Sequence, residues 1–115
     1  MTYLLLIYDN EKRWEGGYGP AELAEYRAFG KEFEGKLKGG NALKPTSTAT
    51  TVQVRDGKRL TTDGPFAETK EQLGGYYLIE AADLHEAIAA AAKLPAARTG
   101  KIGVRPILTL PLPSM

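Results

Sequence analysis

The chain has 115 residues, of which 43% are hydrophobic and 25% charged, and its formal net charge is +1. That is one domain's worth of sequence, enough to remove roughly two-thirds of the unfolded surface from water. The near-neutral charge, spread along the chain, gives no footprint for nucleic acid or an acidic membrane. The absence of cysteine excludes disulfides and thiolate chemistry, and cytoplasmic residence is the default expectation.

The run Tyr3-Leu4-Leu5-Leu6-Ile7-Tyr8 is far too short to span a bilayer. It also lacks the basic region and cleavage site of a signal peptide. Bounded by Asp9-Asn10, it predicts a central strand buried on both faces. The loop from Glu11 to Gly19 holds Trp14 and three glycines, and Trp14 reads either as a lid over a pocket mouth or as a cover for a helix edge.

Pro20 suits the first turn of a helix, where a missing N–H costs nothing. Leu23, Tyr26, Phe29, Phe33 and Leu37 then recur at spacings of three and four, which predicts one apolar stripe. Glu32 with Lys36 and Glu34 with Lys38 have the favourable four-residue spacing. Gly39-Gly40 is the expected stop, and Arg27 falls opposite the stripe as a surface charge. Asn41 to Thr48 reads as a connection with Leu43 buried. The β-branched run Thr50 to Arg55, then Asp56-Gly57 and Lys58 to Thr61, is a hairpin signal.

The stretch Thr62 to Tyr77 gathers turn formers, both charge signs and aromatics. Gly64 tolerates positive φ while Pro65 fixes its own φ and removes a donor, so the chain must bend sharply behind Asp63. Gly74-Gly75 then admits the backbone to a strand, Tyr76 to Glu80. Asp83 with Glu86 has cap spacing for a second helix whose Leu84, Ala87, Ile88, Ala91 and Ala92 face the sheet. Pro95 ends that helix, Lys101 to Leu108 is the last strand, and Pro111 and Pro113 mark a loose tail.

Strand, helix, hairpin strands, strand, helix and strand give an α+β, ferredoxin-like split βαβ arrangement: an antiparallel sheet with two helices on one face. Residues 1–110 form a single domain and 111–115 a C-terminal tail. Leu5, Ile7, Val52, Val54, Tyr77 and Ile79 leave more apolar surface than one helix layer covers, which predicts a homodimer with its two sheets packed face to face.

The segment Thr62-Asp63-Gly64-Pro65-Phe66-Ala67-Glu68-Thr69-Lys70-Glu71-Gln72-Leu73-Gly74-Gly75-Tyr76-Tyr77 resembles the signature of the DGPF-domain branch of the YCII-related proteins. Leu4 to Tyr8, Ala49 to Val52, Arg55-Asp56-Gly57, Pro95 to Arg98 and Val104 to Ile107 extend the likeness along nearly the whole chain. The resemblance implies a dimeric α+β barrel, similar in fold to small enzymes such as muconolactone isomerases. It also implies a suspected His–Asp pair and a regulatory link to extracytoplasmic-function sigma factors. The one histidine, His85, starts the second helix, so the pair has no counterpart on the first helix or its flanking loops.

Asp63 has two readings: a turn cap accepting an N–H near Phe66, or a catalytic proton acceptor in an apolar pocket. In the second reading Tyr8, Asp9, Phe66, Glu68, Lys70 and Tyr76 are the substrate-binding candidates, with Lys70 steadying developing negative charge. Their bland readings are core aromatics and a solvated loop. No metal-ligand spacing, phosphate-cradling glycine pattern or activated nucleophile is present, so no cofactor is implied. Two functions compete: a small-molecule protein with cofactor-free acid–base chemistry, and a non-catalytic module that docks a sigma factor through Ala67 to Gly74.

Overall fold

The structure, a computed structural model, describes residues 1–111. Of the expected tail, Pro113 and its neighbours 112–115 lie outside the described residues. The order is β1 (Thr2–Asp9), α1 (Pro20–Glu32), β2 (Leu37–Ala42), β3 (Thr50–Arg55), β4 (Lys58–Asp63), β5 (Gln72–Glu80), α2 (Leu84–Ala91), a short α3 (Ala96–Thr99) and β6 (Lys101–Pro106). The main sheet runs β2-β5-β1-β6 with every neighbouring pair antiparallel. With β3 and β4 set aside, this is the ferredoxin-like βαββαβ order, and β1 is central as its apolar run predicts.

Along β1, burial alternates strictly. Tyr3, Leu5 and Ile7 lie under the helices in one core with Ile79, Phe29, Ala87, Ala90, Leu94 and Ala96. The alanines let α2 lie close to the sheet, and its N-terminus is capped as expected, the Glu86 N–H donating to Asp83 Oδ1 at 2.9 Å. Leu84 and Ile88, expected on the sheet side, are each 48% exposed. The helix is short, and its contact stripe is the narrower Ala87–Ala90–Ala91 ridge.

Three expectations are corrected. First, α1 ends at Glu32 rather than at Gly39-Gly40, because Gly35 takes φ +87° and turns the chain. Lys36 and Lys38 therefore leave the helix, and Lys36 pairs instead with Glu86 on α2 at 2.9 Å. Second, Leu37–Ala42 is the edge strand β2, although Lys38-Gly39-Gly40-Asn41 has little intrinsic strand preference. Its ladder with β5 decides the matter. Third, β1 is not buried on both faces. The register pairs Leu4 with Leu78, Leu6 with Tyr76 and Tyr8 with Leu73 on the face away from the helices. These residues are half-buried, and they are the bare face, in place of Leu5, Ile7, Tyr77 and Ile79.

Strands β3 and β4 form a separate two-stranded sheet. Asp56 (φ 53°) and Gly57 (φ 72°) close it in the doubly positive-φ geometry that suits hairpin twist. At its base, Gly64 (φ 93°) donates its N–H to Ala49 O at 2.7 Å, and Thr51 Oγ1 donates to Gly64 O at 2.9 Å. Every hairpin residue except Thr51 is exposed, Val52 and Val54 included.

Candidate functional site

Between α1 and the sheet lies a hollow of about 260 Å³. Ile7, Gly40 and Gly75 floor it, and Tyr18, Leu23, Tyr26 and Tyr77 wall it. The floor requires glycine. A Cβ on Gly40 would stand 2.7 Å from the Tyr77 ring and 2.8 Å from Tyr76 O, and one on Gly75 would stand 3.0 Å from Asn41 O. These two positions explain why β2 and β5 spend glycines in mid-strand.

The walls are a connected aromatic set. Trp14 and Tyr18 have ring centroids 5.5 Å apart, and Tyr18 meets Tyr26 edge-on at 5.9 Å. Tyr77 lies 5.0 Å from Phe29, which ties the pocket wall to the core. Burial pushes the phenols of Tyr18, Tyr26 and Tyr77 up, and the nearby Glu22 carboxylate adds to this for Tyr18 and Tyr26. At physiological pH these hydroxyls are therefore neutral donors, not bases.

A second, smaller hollow of about 100 Å³ adjoins the first and shares Tyr18 and Gly74 with it. The Trp14 ring occupies the space where a Gly74 Cβ would stand. Its Nε1 is buried and has no hydrogen-bond partner among the described residues. A buried donor without an acceptor is uncommon in folded proteins.

Beneath the aromatic set, Asp9 is the buried polar residue of the core side, 1% exposed. Its carboxylate accepts from Arg13 Nη1 at 2.8 Å, from Thr99 Oγ1 at 2.5 Å and from the Asn10 N–H at 2.8 Å. Arg13 also reaches Glu22 on α1 at 3.0 Å. The cluster clamps the end of β1, the Glu11–Trp14 turn, α1 and α3 together. Gly100 must be glycine here, since a Cβ would press on the Tyr8 carbonyl and the Asp9 side chain.

The structure scatters the site residues expected from sequence. Asp63 ends β4 on the hairpin and is exposed. Phe66 is 90% exposed, and Lys70 is exposed in the loop that follows. An open dish of about 330 Å³ beside this loop takes in Glu68 with Pro65, Ala67 and Thr69, without Asp63 or Phe66. The apolar hollow expected around Asp63 is therefore not formed within one chain, because the hairpin stands off as its own sheet. Tyr8 and Asp9 point to opposite sheet faces, as neighbours in a strand must. Tyr76 borders the main hollow, and its hydroxyl accepts from Asn41 Nδ2 at 2.9 Å. Of the seven candidates, only Tyr76 touches the main hollow and only Glu68 the dish.

Sequence reasoning missed Tyr18, Tyr26 and Tyr77 as a group, and Arg13 and Thr99 as partners of Asp9. The legible signal is Gly74-Gly75 and Gly39-Gly40: both mark close approach in strands, whereas the sequence alone suggests an entry to a strand for the first and a helix stop for the second. Trp14 covers Gly74 at the second hollow. His85 is exposed on α2, and no group of His, Cys, Asp and Glu side chains among the described residues is arranged to hold a metal.

Comparison with known proteins agrees with this architecture. The YCII-related domain matches residues 1–111. An uncharacterised protein of Rhizobium meliloti (strain 1021) is 38% identical over 114 residues, covering 93% of this chain and 92% of its own. The chain is also similar in fold to 5-chloro-2-hydroxyhydroquinone dehydrochlorinase from Burkholderia phenoliruptrix AC1100, solved with 2,5-dihydroxybenzoquinone. That likeness has a TM-score of 0.53 at 14% identity and covers 94% of each chain. The sheet order, the match along residues 1–111 and the Rhizobium relative together place this chain in the YCII-related domain family.

Proposed function

We propose that this protein binds a small, planar, oxygen-substituted ring in the hollow between α1 and the sheet. The observation that carries the reading is a glycine-floored cavity of about 260 Å³ with three protonated tyrosine hydroxyls in its walls. A dry cavity of about 150 Å³ suffices for benzene, and drug-sized ligands occupy about 300–1,000 Å³. The hollow suits a single substituted ring. Its neutral phenols call for a ligand rich in acceptors, such as carbonyl or ring oxygens. The quinone held by the Burkholderia neighbour belongs to that chemical class.

This site recognises and orients. Within one chain, proton abstraction by Asp63 has no enclosed pocket to act in, so that role requires the Asp63 loop to be brought against another surface. The bare sheet face of Leu4, Leu6 and Leu78 supports pairing of two copies through their sheets, as an apolar face of this kind is rarely left to water.

Calorimetric titration with 2,5-dihydroxybenzoquinone tests the site. Saturable one-to-one binding is expected, with affinity at least 10-fold weaker in Ala42→Leu, which puts a branched side chain at the rim of the hollow. No saturable heat in the parent protein, or equal affinity in the variant, rules the reading out.

A further inference from the structure

We infer that the β3–β4 hairpin is an arm that embraces a second copy of this chain, burying Val52 and Val54, which share one hairpin face, and the adjacent Phe66 against it. The inference rests on the sheet-to-sheet pairing proposed above and adds a second contact surface to it. Four observations carry it. A lone two-stranded hairpin is marginally stable in water, yet every residue of β3 and β4 except Thr51 is exposed. On one face of the hairpin Val52 and Val54, and beyond its end Phe66, are 58%, 60% and 90% exposed.

Size makes the same point. A compact chain of this length has a radius of gyration of about 13 Å, against 16.2 Å here, and the molecule measures 48 × 42 × 19 Å. A compact monomer exposes about 6,200 Å², against 8354 Å² here. The excess of about 2,000 Å² takes in the residues that follow β6. It is still well above the roughly 800 Å² per partner of a standard interface, and in the range of obligate dimers.

Charge points to a like partner. The arm carries both signs, Arg55, Lys58 and Arg59 with Asp56 and Asp63, and these, like Arg105 on the bare sheet face, lack an ion-pair partner among the described residues. A two-fold interface is self-complementary, so one chain supplies both the patch and its counterpart. In such a pair, the loop after Asp63 leaves bulk water and lies beside the other copy, which gives an exposed phenylalanine a physical reason to be there.

Native mass spectrometry and light scattering on the full chain across a dilution series read the pairing, with a dimer expected at micromolar concentration. Val52→Asp with Val54→Asp, and separately Phe66→Ser, are each expected to weaken dimerisation at least 10-fold, as is Leu6→Asp on the sheet face. Amide exchange in the unsubstituted protein reads the arm without any variant. The hairpin amides of Thr51–Arg55 and Lys58–Thr62 are expected to be protected in the dimer and to lose protection on dilution. A monomer at all concentrations overturns both the sheet pairing and the arm. A dimer whose affinity ignores the arm variants, or whose hairpin exchanges freely, overturns the arm alone.

Discussion

At the residue scale, Asp9 decides the most. Its carboxylate is buried and accepts from a guanidinium, a hydroxyl and a backbone N–H. Truncation leaves all three donors short of a partner, and breaking a buried ion pair costs about 3–5 kcal/mol. Arg13 keeps Glu22 and its side chain is 34% exposed, so Asp9→Ala should cost about 3 kcal/mol. That corresponds to a drop in Tm of roughly 10 °C, read in a thermal melt; a shift under about 3 °C would show that the clamp contributes little. Tyrosine titration gives a pH prediction. The folded pKa values of Tyr18, Tyr26 and Tyr77 are raised above 10.0, so the folded state holds these protons more tightly than the unfolded one. Their contribution is intact below pH 10 and is lost as pH climbs toward the folded values. Tm should fall above pH 10, and Tyr26→Phe should flatten that decline; absorbance at 295 nm should show the three phenols ionising late.

At the element scale, the glycines of β5 set where α1 and the Trp14 turn can lie. Gly74→Ala should push the indole off the strand, since the new methyl occupies the place of the ring. The chain has one tryptophan, so the displacement is read directly as a red shift in fluorescence; an unshifted spectrum would mean that the ring finds room without leaving. The elements also show how far the sequence could be read. β1, the Asp83 cap, the Asp56-Gly57 hairpin turn and the two-helix order followed from periodicity and turn chemistry, which act over a few residues. The edge strand β2 did not, because Leu37-Lys38-Gly39-Gly40-Asn41-Ala42 becomes a strand only through its ladder to residues some forty positions away. For the same reason the hollow was misplaced. Asp63, Phe66 and Lys70 form a local cluster visible in the sequence, whereas Tyr18, Tyr26, Gly40, Gly75 and Tyr77 meet only after the sheet is built.

At the scale of the whole molecule, two surfaces await partners: a hollow for a ring-shaped ligand and an apolar face with its projecting hairpin. They lie on opposite sides of the sheet, so ligand binding and self-association should be separable. Ala42→Leu should leave the dimer dissociation constant within about 2-fold of the parent, and Val52→Asp with Val54→Asp should leave quinone affinity equally unchanged when measured by calorimetry. Coupled losses in both would mean that the hollow is completed across the interface. The hairpin joins the body through a two-stranded neck at Ala49 and Gly64, whose two legs are tied to each other by one backbone and one hydroxyl hydrogen bond. Because no rung of the β2-β5-β1-β6 ladder passes through that neck, residues 50–63 form a cassette. Exchanging them for the equivalent stretch of a relative would transplant partner choice while the ligand chamber keeps its shape.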